Sequence, residues 1–171
     1  VKQMLERSKV SLDGDGSNSR DFVYVEDTAR AIELALYTDK NIRGEIINVG
    51  SGRETKFSSL INLIGHTIGY TKDDGYHVGE KGYDSNINYR PFREGEEGLR
   101  VFLDITKAKE LLAYKPEYPM TSIDSSGLKS TIEWIANWIL NYQEDEMDTL
   151  RKKIYPSRYT DEQKDDIQVS V

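Results

Sequence analysis

Asp15-Gly16-Ser17-Asn18-Ser19-Arg20-Asp21-Phe22-Val23-Tyr24-Val25-Glu26-Asp27 passes from a dense polar turn into a short apolar run and out into an acidic helix start. Its glycine, Asn18 and the flanking serines mark the turn. Phe22-Val23-Tyr24-Val25 is β-branched and aromatic, the composition of a strand. Asp27 is placed to cap a helix from about Thr28 to Tyr37, which turns Ala31, Ile32 and Ala35 to one face. Arg20 therefore stands at the mouth of a strand. A guanidinium there can make paired, charge-assisted hydrogen bonds to a phosphate, roughly twice as strong as neutral ones. The alternative is a surface ion pair with Asp21 or Glu26, the commoner fate of an arginine.

Working outward, Val1 to Lys9 reads as the end of a helix, and Val10-Ser11-Leu12 as a short strand stopped by the turn that follows. Downstream, Glu45-Ile46-Ile47-Asn48-Val49 is a third strand candidate, and Gly50-Ser51-Gly52 turns the chain toward the next helix. In that helix Phe57, Leu60, Ile61, Ile64 and Ile68 recur at helical spacing. Gly69 to Tyr89 lacks periodicity and reads as a long loop with room for one short strand. Its Tyr70, Tyr76, Tyr83 and Tyr89 suit either stacking on a sugar ring or closing the loop over the core. Leu99 to Leu103 is a further strand candidate, and Asp104 can cap the helix carrying Ile105, Ala108, Leu111 and Leu112. A last helix spans about Ile123 to Tyr142, with Leu128, Ile132, Ile135 and Ile139 as its buried stripe and Trp134 and Trp138 beside it as packing residues. From Gln143 the chain carries eight acidic and five basic residues, so 143–171 is expected to be an exposed or partly helical tail, with a helical segment around Met147 to Ile154. Residues 1–142 form the folded portion. Strands alternating with helices make it α/β.

The chain has 171 residues and a formal net charge of −7, which argues against a broad nucleic-acid interface because such surfaces are basic. With no cysteine and only His66 and His77, thiolate or histidine-rich metal sites and a catalytic thiol are excluded or disfavoured. No apolar run is long enough to span a bilayer and no signal peptide opens the chain, so the expectation is a cytoplasmic protein that binds no membrane. Val1 begins inside a helical pattern, which leads us to expect further sequence upstream.

Five segments in order carry a family resemblance. The opening run resembles the "RDFVYVDD-x-A-R-A" segment of extended short-chain dehydrogenase/reductases that act on nucleotide sugars. Gly44-Glu45-Ile46-Ile47-Asn48-Val49-Gly50-Ser51-Gly52 is similar to the family's "GE-x-x-NVGSG", and Arg93-Glu94-Gly95-Glu96 to its "REGD". Asp104-Ile105-Thr106-Lys107-Ala108 through Leu112, then Tyr114-Lys115-Pro116, resembles "D-x-SKA-x-x-x-LGW-x-P". Gly127-Leu128-Lys129-Ser130-Thr131-Ile132-Glu133-Trp134 resembles "GL-x-x-TI-x-W". The resemblance spans roughly residues 1 to 140. It implies the C-terminal substrate-binding part of an extended short-chain dehydrogenase/reductase fold, an NAD(P)-binding Rossmann type whose N-terminal Rossmann half is missing here.

The same resemblance implies roles. Arg20 and Arg93 match the two arginines that hold the substrate's diphosphate. Ser11 and Leu12 fall on the strand whose backbone flanks the nucleotide base, and Arg90 and Arg100 are alternatives for phosphate contact. A tyrosine that the epimerases place near the nucleoside is replaced by Val101, beside Phe102. The partner implied is a UDP- or dTDP-sugar, the cofactor NAD, and the reaction oxidation at C4 followed by epimerisation or dehydration. A homodimer is open for the intact enzyme. Gly50-Ser51-Gly52 lacks the third glycine of a dinucleotide loop and reads better as a tight turn; Gly79 and Gly82 have no strand before them and no helix after. The family's catalytic Tyr-x-x-x-Lys pair is absent, since none of the eleven tyrosines has lysine four residues on. The chain is therefore expected to bind substrate without catalysing alone; a stand-alone, non-catalytic nucleotide-sugar-binding module is the competing expectation.

Overall fold

A computed structural model describes residues 1–121, 126–139 and 144–154. In chain order the elements are α1 (Lys2–Leu5), β1 (Val10–Asp13), β2 (Ser19–Arg20), α2 (Val25–Tyr37), β3 (Thr55–Lys56), α3 (Phe57–Ile68), β4 (Ile87–Arg90), α4 (Thr106–Leu112), α5 (Ser126–Ile139) and α6 (Glu144–Ile154). β1 and β4 pair in parallel, Val10 opposite Ile87 and Asp13 opposite Arg90, while β2 and β3 pair antiparallel. The mixed α/β character expected from the alternation of patterns is what is found.

Two apolar clusters hold these elements. In the larger, Met4 of α1, Val10 and Leu12 of β1, Ile61, Ile64 and Ile68 of α3 and Ile87 of β4 meet Leu128, Ile132 and Ala136 of α5. In the smaller, Ala31 of α2 packs with Ile105, Ala108, Leu112 and Tyr114, and Leu34, Ile47, Val49 and Leu103 lean on it. Tyr114 is buried, and its hydroxyl donates to the Gly50 carbonyl at 3.0 Å, tying the loop after α4 to the turn at 50–52. Tyr70 and Tyr76 stack at 4.9 Å, and their hydroxyls donate to the carbonyls of Met4 and Ser8. These two tyrosines therefore close the loop over the core.

Several expectations need correction, each for a physical reason. Phe22 to Val25 is not a strand: the residues that pair lie upstream, Ser19 against Lys56 and Arg20 against Thr55, and α2 already begins at Val25. Asp27 is consequently the third residue of α2 and not its cap; with Glu26 it lies in the first turn, where negative charge suits the helix dipole. Glu45 to Val49 joins no strand ladder, its bonds going to the Ile42 and Asp104 carbonyls and to Lys107, and a strand exists only when something pairs with it. Leu99 to Leu103 contributes a single bridge, Arg100 to Ser19. Trp134 and Trp138 are not packing residues: they are exposed, because Leu128, Ile132 and Ala136 take the buried face of α5.

Within the segment from 143, expected to be exposed or partly helical with a helix around Met147 to Ile154, the structure has α6. α6 has Met147, Leu150 and Ile154 at helical spacing, all buried in the larger cluster, and Arg151 donates to Glu133 of α5 at 2.9 Å. The charge of this segment hides an amphipathic helix. Residues 122–125, 140–143 and 155–171, including the start and end expected for the last helix and the rest of the tail, lie outside the described residues. No described helix is long and apolar enough to cross a membrane.

Candidate functional site

The site is built where β1 and β4 end together. Asp13 and Arg90 are the last residues of the two strands and stand in register, so their side chains meet across the pair: Arg90 Nε lies 2.7 Å from Asp13 Oδ1. The chain after each strand must then turn in the same narrow space. Gly14 does so with φ +77°, and a Cβ there would stand 2.1 Å from the Phe92 ring. Only glycine fits that conformation and that contact. The Gly14 amide donates to the Arg90 carbonyl at 2.8 Å, which docks the segment 90–92 onto the end of β1. Arg93 follows, and its Nε reaches the other oxygen of Asp13 at 2.8 Å.

A polar turn leads from Gly14 to Arg20. The Ser17 side chain and amide hydrogen-bond Asp15 and hold its carboxyl below the ordinary range. Asn18 is buried, accepting from the Leu99 amide through its side chain at 3.1 Å and from the Phe57 amide through its carbonyl at 2.9 Å. With the turn fixed, Arg20 leaves β2 with its guanidinium 5.9 Å from the centre of the Phe57 ring and an Nη 4.0 Å from Glu96. Glu96 belongs to the turn that starts at Arg93, closed by its own amide donating to the Arg93 carbonyl at 3.0 Å. Arg90 and Arg93 thus share Asp13, while Arg20 lies near Glu96. Arg20 pairs with neither Asp21 nor Glu26, the partners weighed for it from sequence.

Arg100 is engaged elsewhere. Its Nε and Nη2 donate to Glu54 at 2.7 and 2.5 Å, and the buried Ser19 hydroxyl donates to the same carboxylate at 2.7 Å. Those bonds, Arg100's foremost, lower the Glu54 carboxyl to about 2. Ser11 lies mid-strand on β1, half-buried, its amide donating to the Gln3 side chain at 3.4 Å, and Leu12 turns its side chain into the core. Val101 and Phe102 are both exposed. Sequence reading missed Asp13, Glu96 and Glu54 as members of this region. Asp13 gave only a turn signal, because its meaning depends on β4 lying in register beside it.

Asp21 and Asp27, which flank the arginine in sequence, serve the frame. Asp21 accepts from the amides of Ser51 at 2.8 Å and Gly52 at 2.9 Å, from the Ser51 hydroxyl, and from the Leu103 amide at 3.3 Å. The Gly50-Ser51-Gly52 turn therefore spends its amides on a carboxylate of its own chain and leads to β3, not directly into a helix. Gly79 and Gly82 both have positive φ in an irregular loop. Among the described residues no group of three or more metal-ligating side chains assembles.

A family model described as GDP-mannose 4,6 dehydratase matches residues 1–125. The chain belongs to this family. It is a member of the extended short-chain dehydrogenase/reductases of the epimerase and dehydratase kind. A Methanocaldococcus jannaschii protein named provisionally as a UDP-glucose 4-epimerase is 39% identical over 137 residues, covering 80% of this chain and 37% of that protein. The Escherichia coli dTDP-glucose 4,6-dehydratase is 30% identical over 144 residues, again covering 82% of this chain and 37% of the relative. Among solved structures, the Bacillus cereus UDP-glucuronic acid 4-epimerase in complex with UDP-glucuronic acid and NAD superposes with a TM-score of 0.64 at 30% identity, over 80% of this chain and 38% of that one. The Thermotoga maritima UDP-glucose 4-epimerase with UDP-glucose gives 0.60 at 34% identity, over 80% and 37%. The chain thus spans little more than a third of the length of its relatives. The α/β architecture described above is that fraction of their fold.

Proposed function

We propose that this chain is the substrate-binding part of an NAD-dependent nucleotide-sugar epimerase or dehydratase, and that Arg20 and Arg93 hold the diphosphate of a UDP- or dTDP-sugar with Arg90 beside them. The observation that carries this reading is the pairing of Arg90 and Arg93 on one carboxylate at the shared end of β1 and β4, with Arg20 beside Glu96 in the turn that starts at Arg93. Diphosphate oxygens are matched by the planar N–H forks of arginine better than by any other side chain. The backbone of Ser11 and Leu12, on the strand leading to the cluster, would lie along the nucleotide base. Arg100, already bound to Glu54, is held in reserve on the far side of Ser19. Fixing the diphosphate fixes the sugar, so that its reacting carbon meets the catalytic groups in one orientation; this is an entropic contribution to rate.

NAD, which would supply oxidation at the sugar C4, has no fitting loop among the described residues, and its site belongs to the remainder of the polypeptide. Two features support such a remainder. Val25, Ile32, Leu36 and Tyr37 of α2 are 61 to 82% exposed, and Ile46, on the unpaired extended segment, is 85% exposed. Bare apolar side chains on a helix face and on an unpaired segment ask for a covering surface. The same face weighs against a stand-alone binding module.

The test is calorimetric titration of UDP-glucose and dTDP-glucose into the complete polypeptide carrying this chain. Arg20→Ala and Arg93→Ala should each weaken binding about 10- to 150-fold, the loss of charged hydrogen bonds worth about 1.5–3 kcal/mol. Unchanged affinity in Arg93→Ala would refute the diphosphate assignment. A complete polypeptide without a glycine-rich dinucleotide loop and a Tyr-x-x-x-Lys pair would refute the redox reading.

A further inference from the structure

We infer that Asp13 is a positioning residue that sets Arg90 and Arg93 as a two-pronged clamp for the diphosphate; the assignment of the ligand rests on the function proposed above. The geometry is specific. One carboxylate meets both arginines, Oδ1 on Arg90 Nε at 2.7 Å and Oδ2 on Arg93 Nε at 2.8 Å. Each arginine is therefore held as an ion pair on the Nε side of its guanidinium. Each guanidinium also carries two Nη groups with four N–H donors.

The fixed and mobile parts are also distinct. The Asp13 side chain is 20% exposed at the end of a paired strand, whereas those of Arg90 and Arg93 are 50% and 68% exposed. The carboxylate thus serves as anchor and the guanidiniums reach from it into solvent. Two guanidiniums placed side by side repel each other, and the shared carboxylate offsets that repulsion before any ligand arrives. Arg90, which sequence reading held only as an alternative phosphate contact, becomes a full partner of Arg93 through its register with Asp13.

A carboxylate beside an anion site also repels the anion, so the sign of its effect is the crux. Ordering a long side chain at the moment of binding costs enough to weaken affinity several-fold for each one. Asp13 orders two. Its own charge, turned toward the Nε side and compensated by both arginines, acts on the ligand from behind them. Net tightening follows.

The experiment titrates UDP into the complete polypeptide by calorimetry, with NMR of the arginine Nε–Hε groups in parallel. Asp13→Asn should weaken UDP binding about tenfold, the scale set by ordering two long side chains, and Asp13→Glu, which keeps the charge, should recover most of the loss. In an Arg90→Ala/Arg93→Ala background, Asp13→Asn should weaken UDP no further, because the residues it positions are gone. Asp13→Asn that binds UDP as well as or better than wild type overturns the inference, as does a loss that persists undiminished in the double-alanine background. A wild-type protein that ignores UDP refutes the nucleotide-sugar reading alone. The Asp13 clamp is then judged on NMR relaxation of the Arg90 and Arg93 Nε groups: restricted motion that is freed in Asp13→Asn supports it, and unchanged motion overturns it.

Discussion

Asp27 offers the sharpest test of how this chain is held together. Its carboxylate is 1% exposed and accepts three hydrogen bonds, from the amides of Glu117 at 2.8 Å and Tyr118 at 3.0 Å and from Arg30 Nη2 at 3.0 Å. Arg30 in turn binds the Lys115 carbonyl and the Glu117 carboxylate, so one buried acid and one arginine staple the loop after α4 onto α2. Hydrogen bonds to a charged group contribute about 1.5–3 kcal/mol each. They share one carboxylate here, and the Glu117 amide at the loop surface regains water when released, so the three do not add in full. Breaking a buried ion pair from one side costs about 3–5 kcal/mol, and we expect about 3–4 kcal/mol for Asp27→Ala. Asp27→Asn, which keeps the shape and one acceptor, should lose about half of that. The assay is urea unfolding followed by far-ultraviolet circular dichroism, with stability taken from linear extrapolation. If Asp27→Ala unfolds within about 1 kcal/mol of wild type, the staple is not what holds the loop, and the reasoning from burial and bonding fails.

Glu54, held at about 2 by Arg100 and Ser19, contributes stability that is present above its ordinary value of 4.5 and is lost as pH falls toward about 2; carboxylate NMR should follow that titration, and Arg100→Ala should return it toward the ordinary range. Met147→Ala should destabilise by about 2–5 kcal/mol, as for other buried large-to-small changes; a change below about 0.5 kcal/mol in the same unfolding assay would show that α6 is not part of the core. Gly14→Ala meets both a positive φ and the Phe92 ring, so it should lower the melting temperature and weaken UDP binding together, and a variant with both unchanged would contradict the docking of segment 90–92 on β1.

The α3 stripe of Ile61, Ile64 and Ile68 was legible in the sequence because a helix pattern is local: residues three and four apart share a face whatever surrounds them. Arg20 and Arg93 were legible through the motifs that contain them. Phe22 to Val25 misled because β-propensity reports side chains suited to a pleated surface, not the presence of a partner. α6 was legible as a helical segment around Met147 to Ile154, but its burial was not: Met147, Leu150 and Ile154 are outnumbered by the acidic and basic residues on its other faces.

What the sequence by itself determined is the family, the order of its helices, and the kind of side chain offered to an anion. What only the tertiary structure decided is which charges meet. Asp13 and Arg90 are far apart along the chain and become neighbours because β1 and β4 pair in parallel with those two residues in register. Arg93 joins them because Phe92 packs on Gly14, and Arg100 is drawn away because Glu54 is nearer. Electrostatic energy depends on separations of a few ångströms. Those separations are set by strand register and turn geometry, neither of which a residue carries by itself.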